Sequence, residues 1–351
     1  MHDLFPSITR PARRLRLLSG VALGALFAAG QPAQALVITP SFDASWAAAP
    51  AAATTVVNNV IAAYEADFSN PVTVTIAFGW GEVEGSAITS GAAANITGTN
   101  YNQNYTLAQV KALYAGAAAA VGATGVLQTA NANLPAAYPH PGGRTIGGVP
   151  AFIIPDAEYI ALTGVAQNAD PIQGFTGYAT NFCGGGTCPY DFTGGPPGST
   201  AIDFTAVVEH EIAHALGRID YAFAGANQPL TPQDFFKYMM SGGACTKTLD
   251  PNFDITCFSY DGGATNPQGR TFSNFSDSGD WINAGGDSYN YSIGQGQFAS
   301  VSMADLLLMC AEGWNDRAVC SAVVTTPEPG TLALLGTSLL GLAALRRRRR
   351  Q

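Results

Sequence analysis

The sequence predicts an α+β fold: a mixed sheet, one helix that carries the chemistry, and a loop-rich C-terminal part. Three observations carry that expectation. A helical pattern over residues 51–67, with Val56, Val57, Val60, Ile61 and Tyr64 at spacings of three and four, runs at once into an alternating β-branched stretch from Val72 to Phe78. A second periodic segment spans Asp203 to Leu216, and residues 225 to 300 are rich in Gly, Asn, Ser and Asp. With 351 residues, 47 % of them hydrophobic, there is enough apolar side chain for one large core or two smaller ones.

Ser69-Asn70-Pro71 ends the first helix and leads into the strand. A further helix is expected from Thr106 to Val121 and a strand from Val149 to Ile154. Between Thr176 and Ser199 the chain reads as loop, with a short edge strand at Tyr178 to Phe182. Thr200-Ala201-Ile202-Asp203 has the form of a capping box, Phe204, Val207, Val208, Ala215 and Leu216 form an apolar stripe, and Gly217 fits the position that ends the helix. Met303 to Gly313 closes the series as a short helix.

Both ends read as targeting segments. Arg10, Arg13, Arg14 and Arg16 precede an apolar run from Leu17 to Ala29, and Ala33-Gln34-Ala35 supplies small residues for cleavage. That run is short of the roughly 20 residues that cross a bilayer. Residues 1–35 are therefore expected to be a signal peptide, with signal peptidase as a processing partner. At the other end Pro327-Glu328-Pro329 precedes an apolar stretch from Gly330 to Leu345 and then Arg346 to Arg350, the order of a transmembrane helix with a basic cytoplasmic end. Residues 327–351 resemble the PEP-CTERM sorting signal of Gram-negative bacteria. The resemblance implies recognition by an exosortase, removal of the tail, and release to the cell surface or medium; a lasting membrane anchor is the alternative use of the same tail.

Residues 36–326 are left as the working domain. Removing both ends leaves seven basic residues against 23 acidic ones, from 16 and 25 in the whole chain. Such an acidic surface repels nucleic acid and anionic lipid, so neither is an expected partner. The six cysteines form three close pairs, Cys183 with Cys188, Cys245 with Cys257 and Cys310 with Cys320. In an exported chain these are candidates for local disulfides, although six cysteines allow 15 connectivities.

The chemistry is expected at His210-Glu211-Ile212-Ala213-His214. Residues four apart lie one turn apart on one helical face, so both imidazoles reach a single zinc ion, with Glu211 close enough to hold a water. A catalytic zinc takes a third protein ligand and keeps one open position. The chain has four histidines; His2 leaves with the leader and His140 lies far upstream, so unless His140 folds back the third ligand is a carboxylate or another oxygen donor.

From His210 to Asp220 the chain reads H-E-I-A-H-A-L-G-R-I-D and resembles the metzincin clan of zinc peptidases. The resemblance implies a metzincin-like peptidase domain in which Gly217 turns the chain so that Asp220 reaches the metal. It implies His210, His214 and Asp220 as ligands and Glu211 as general base of an endopeptidase acting on protein or peptide substrates. A solvated or salt-bridged loop carboxylate, with Arg218 as a candidate partner, is the competing reading of Asp220. The clan's methionine turn has no clear match, with Met240 and Met303 as candidates. Asp234-Phe235-Phe236-Lys237-Tyr238 and Phe258 to Gly263 resemble segments of PEP-CTERM-bearing bacterial metalloproteases. The rival function is a surface or matrix protein that keeps a peptidase scaffold without activity. Calcium has no supporting ligand spacing in the Asp- and Gly-rich stretch from Asp254 to Asp287.

Overall fold

In the computed structural model Leu36 is buried and leads directly into β1 (Val37–Phe42). Asp43 then accepts hydrogen bonds from the backbone N–H groups of Ser45 and Trp46, capping a single 3-10 turn before α1 (Ala51–Asp67). The apolar stripe of α1 is buried at all five positions that its period picks out. In β2 (Thr73–Trp80) the alternation is equally direct, with Val74, Ile76 and Phe78 buried in the core. β1 and β2 pair in parallel, which requires a crossover, and α1 supplies it. The structure describes residues 35–88, 94–95, 104–121, 124–138, 145–146, 149–180, 189–220, 229–250, 255–273, 277–316 and 318–321.

Short pieces come next: a hairpin of β3 (Glu82–Val83) and β4 (Ser86–Ala87), then β5 (Ala94–Asn95) and β6 (Asn104–Thr106). The helices α2 (Leu107–Val121) and α3 (Val126–Asn133) precede β7 (Thr145–Ile146), β8 (Val149–Ile153) and α4 (Asp156–Thr163). The main sheet is completed by β9 (Gly174–Tyr178) in the order β1-β2-β9-β5, with β9 parallel to β2 and β5 antiparallel at the edge. The expected edge strand at Tyr178 to Phe182 is thus corrected. The strand begins four residues earlier and lies inside the sheet; of the expected span Tyr178 belongs to it, Ala179 and Thr180 do not, and residues 181–182 lie outside the described residues. Two glycines in five residues disguise it. At Gly174 a Cβ would come within 2.8 Å of the Ala215 Cβ, so the missing side chain is what lets the next helix pack on the sheet.

That helix is α5 (Phe204–Ala215), reached through β10 (Tyr190–Asp191) and β11 (Ile202–Asp203) and packed on α1 and β9. Its cap is Asp203 itself, which accepts from the Ala206 N–H at 3.3 Å, rather than a box begun by Thr200. The C-terminal part contains a sheet ordered β13 (Ala244–Leu249), β12 (Lys237–Ser241) and β14 (Cys257–Phe258), stapled by the Cys245–Cys257 disulfide. Ser302 and Asp305 form the capping box of α6 (Met303–Ala311), and Cys310–Cys320 ties α6 to the turn after it. Cys183 and Cys188 lie outside the described residues, as do residues 1–34 of the expected signal peptide and the apolar tail. Among the described residues no helix is long and apolar enough to cross a membrane.

Two carboxyl groups are sealed into the core, Glu158 on α4 and Glu312 just after α6. Burial pushes both well above the ordinary carboxyl range, and the charge of Glu312 raises Glu158 further. Tyr114, whose hydroxyl is 3.5 Å from Glu158 Oε1, and the cations Arg218 and Lys237 offset this only in part. Because both folded-state values are raised, this contribution to stability is complete below the unfolded pKa of about 4.3 and is lost as pH rises through the folded values. Thermal denaturation from pH 5 to pH 10 is expected to show a midpoint that declines as pH rises, and Glu312→Gln should flatten that decline. Parallel curves for the two proteins would show that the pair does not set the alkaline limit.

Candidate metal centre

The site is built on the last two turns of α5. His210 and His214 project from one face, and each ring is fixed by its Nδ1: that of His210 is 2.7 Å from the Ser288 carbonyl oxygen, and that of His214 is 2.5 Å from the Arg218 carbonyl oxygen. Carbonyls accept only, so both Nδ1 atoms carry the proton and both Nε2 atoms turn toward a common point, 2.9 Å apart. Two nitrogens bound to tetrahedral zinc at about 2.0–2.1 Å stand about 3.3 Å apart, so a small adjustment separates this spacing from a metal site.

A carboxylate completes the group, and it belongs to Asp280. Its Oδ2 is 3.4 Å from His210 Nε2 and its Oδ1 is 3.3 Å from His214 Nε2. Among the described residues, His210, His214 and Asp280 are the group of histidine, cysteine and acidic side chains placed to hold one ion. Asp277 stands at the rim, its Oδ2 3.6 Å from His214 Nε2 and its side chain partly open to solvent. Asp220, the residue that the sequence offers as third ligand, points elsewhere: it is buried in an ion pair with Lys237 and accepts from Ser278 Oγ at 2.5 Å. The alternative of a salt-bridged loop carboxylate is what the structure shows, with Lys237 as the partner in place of Arg218, which bonds Asp280.

The local turn explains both outcomes. Gly217 has φ of 116°, a left-handed value that favours glycine, and a Cβ there would meet the Glu158 Cβ at 2.6 Å. The chain does turn sharply at this point, as its sequence predicts. Immediately after the turn comes Arg218, fully buried, whose Nη1 donates to Asp280 Oδ1 at 2.9 Å and to the Gly279 carbonyl at 2.8 Å while its guanidinium carbon lies 4.1 Å from the Tyr289 ring centroid. Tyr289 is pinned in turn, its hydroxyl 3.0 Å from that of Tyr64, which donates to the Glu209 carbonyl. Asp280 precedes Trp281, whose buried indole donates to Asp305 Oδ1 at 2.5 Å.

The electrostatics follow from these partners. Burial opposes charge on Asp280, yet His210, His214 and Arg218 hold its carboxyl well below the ordinary range. Burial also opposes charge on His210, but Asp280 and then Glu211 outweigh it and lift His210 to about 9. Glu211, 7 % exposed, is raised by burial against the pull of both histidines. Of the expected methionines, Met303 is 58 % exposed and so lies under nothing, while Met240 sits half-buried on β12 opposite Cys245. His140 is outside the described residues. Sequence reasoning misses Asp280 because it lies 60 residues beyond Asp220, at no fixed spacing from the histidine pair; the two aspartates in Ser276-Asp277-Ser278-Gly279-Asp280 are its only signal.

Residues 325–349 match the PEP-CTERM protein-sorting motif. The motif implies an exported protein that is processed at its C terminus by an exosortase. No curated protein and no solved structure matches the chain.

Replacing Asp280 by Ala is expected to cost about 3–5 kcal/mol in urea denaturation with chelator present, since it strands the Arg218 guanidinium in the core. The double variant Asp280→Ala with Arg218→Met should recover part of that loss. Equal stability of the single and double variants would mean that Arg218 finds another acceptor.

Proposed function

We propose that the mature chain is an exported zinc-dependent endopeptidase with His210, His214 and Asp280 as its metal ligands and Glu211 as its general base. One observation carries the reading: two imidazoles with their Nδ1 atoms committed to carbonyls turn both Nε2 acceptors toward one buried carboxylate. Metal-bound histidines characteristically have their second nitrogen engaged in this way. Two nitrogens and a carboxylate oxygen are a donor set suited to zinc.

When bound, zinc supplies Lewis acidity toward water and toward a substrate carbonyl oxygen. The chain's own residues do the rest. Glu211, adjacent to His210 and drawn in both directions by burial and by the imidazoles, holds a carboxylate that takes a proton from water and returns it to the leaving amine. Ser288 and Arg218 keep the rings in one tautomer through their carbonyls. β5, at the edge of the main sheet and next to α5, offers backbone groups to an extended peptide, which supports a protein substrate over a small ester. A metzincin-like fold is supported by the site helix and the Gly217 turn, and the pairing of Asp220 with Lys237 counts against it.

A second reading has its own observation. Arg218 Nη2 lies 3.3 Å from His214 Nε2, where it competes with a metal for the same lone pair. This favours an inactive surface or matrix protein in which the guanidinium stands in for the ion. Metal analysis and casein cleavage by the purified protein separate the two. The peptidase reading expects about one zinc per chain, hydrolysis abolished by chelator and restored by zinc, and a Glu211→Gln variant that keeps the metal while activity falls by a factor of about 100 or more. Metal-free protein that cleaves nothing after zinc is added would establish the scaffold reading instead.

A further inference from the structure

Asp220 and Lys237 form a buried pair whose position invites a function of its own. The Asp220 side chain is fully buried and Lys237 nearly so. Both touch the same short segment. Lys237 Nζ donates to the Ser278 carbonyl at 2.8 Å as well as to Asp220 Oδ2, and Ser278 Oγ donates to that same Oδ2. One residue on, the Gly279 carbonyl accepts from Gln233 Nε2 at 2.6 Å and from Arg218. Gly279 packs so closely that a Cβ there would lie 3.2 Å from the Asp220 backbone nitrogen. The next residue is Asp280, and no helix or strand holds this segment.

We infer that Asp220 and Lys237 are positioning residues: they fix the Ser278–Asp280 segment so that the Asp280 carboxylate meets His210 and His214. The inference rests on the proposed metal centre and assigns the aspartate of the H-E-x-x-H-x-x-G-x-x-D run to a role outside the coordination sphere. The physical reason is the cost of buried charge. An aspartate spent on a buried ammonium cannot leave it for a metal without stranding the lysine, and the other carboxylate paired with Lys237 among the described residues is that of Asp234, with an oxygen 3.8 Å away. Supporting groups of this kind change metal affinity by about 10–100-fold without contributing a ligand.

The test compares the full chain with its Asp220→Asn, Lys237→Met, Asp220→Asn/Lys237→Met and Asp280→Ala variants. Zinc affinity is read by competition with a chromophoric chelator, and ligand geometry by the visible absorption of the cobalt-loaded protein. Positioning predicts that Asp220→Asn weakens zinc binding by about 10–100-fold, that its cobalt spectrum at saturation matches the parent, and that Lys237→Met added to it restores part of the affinity. Asp280→Ala should lose binding. A ligand role for Asp220 predicts a shifted cobalt spectrum and no rescue, and that result overturns the inference, as does parental affinity in Asp220→Asn. If Asp220→Asn does not fold, the double variant decides by the same spectrum: a match to the parent supports positioning and a shift overturns it. Absence of zinc from the parent itself overturns the metal-centre reading, a different result from any of these.

Discussion

Arg218 sits wholly inside the protein, with its donors on Asp280 and Gly279, its plane against Tyr289, and its own carbonyl on the His214 ring, and the geometry of the centre follows from that placement. A buried guanidinium is tolerated only when its charge and its donors are met. Here Asp280 answers the charge and Gly279 a further donor, which draws the end of α5 and a distant loop together, while Nε is left without a hydrogen-bond partner among the described residues. Because the carbonyl of the same residue orients His214, the position of α5 and that of the acidic loop are set together. A lysine offers no planar face for Tyr289.

The segment after β14 shows how a chain with little regular structure keeps a side chain in place. Gly, Ser and Asn form no long ladder, yet buried backbone groups need partners. They find them singly: Trp281 N donates to the Tyr289 carbonyl, Tyr291 N to that of Trp281, and Ser288 N to that of Ser300. Trp281 and Tyr289 then act as apolar anchors, the first tied to the cap of α6 through Asp305 and the second to α1 through Tyr64. The carbonyl that orients His210 belongs to Ser288, within this meshwork. Both the Asp280 loop and one ring's orientation therefore depend on the packing of two aromatic side chains.

Legibility in the sequence divides along physical lines. α1, β2, α2 and α5 are periodic, and each lies within a residue or two of its expected bounds. His210, Glu211 and His214 share a helix, so local spacing fixes their relation to one another. β9 is not legible as a central strand because its glycines serve the close approach of α5 and β3, a tertiary demand with no local signature. Asp280 is hidden for the same reason, since its approach to the histidines depends on Arg218 and Trp281. The expectation for Asp220 comes from a spacing that predicts the turn at Gly217 correctly but says nothing of Lys237, whose burial beside Asp220 decides where that carboxylate goes.

The charge around the imidazoles bears on the choice between the two functional readings. Glu211, Asp277 and Asp280 all act on the histidines, and Arg218 is the cation among them. Counted with all three carboxyls ionised and both imidazoles neutral, the cluster is two positive charges short of balance, and a proton on His210, held there to about 9, supplies one of them. A divalent cation supplies both and needs the imidazoles as neutral donors, the state for which their Nδ1–carbonyl bonds already prepare them. A scaffold that relied on Arg218 alone would have no electrostatic need for a third carboxylate at the rim. The surplus of acid beside two oriented imidazoles is the feature that supports the metal-binding reading.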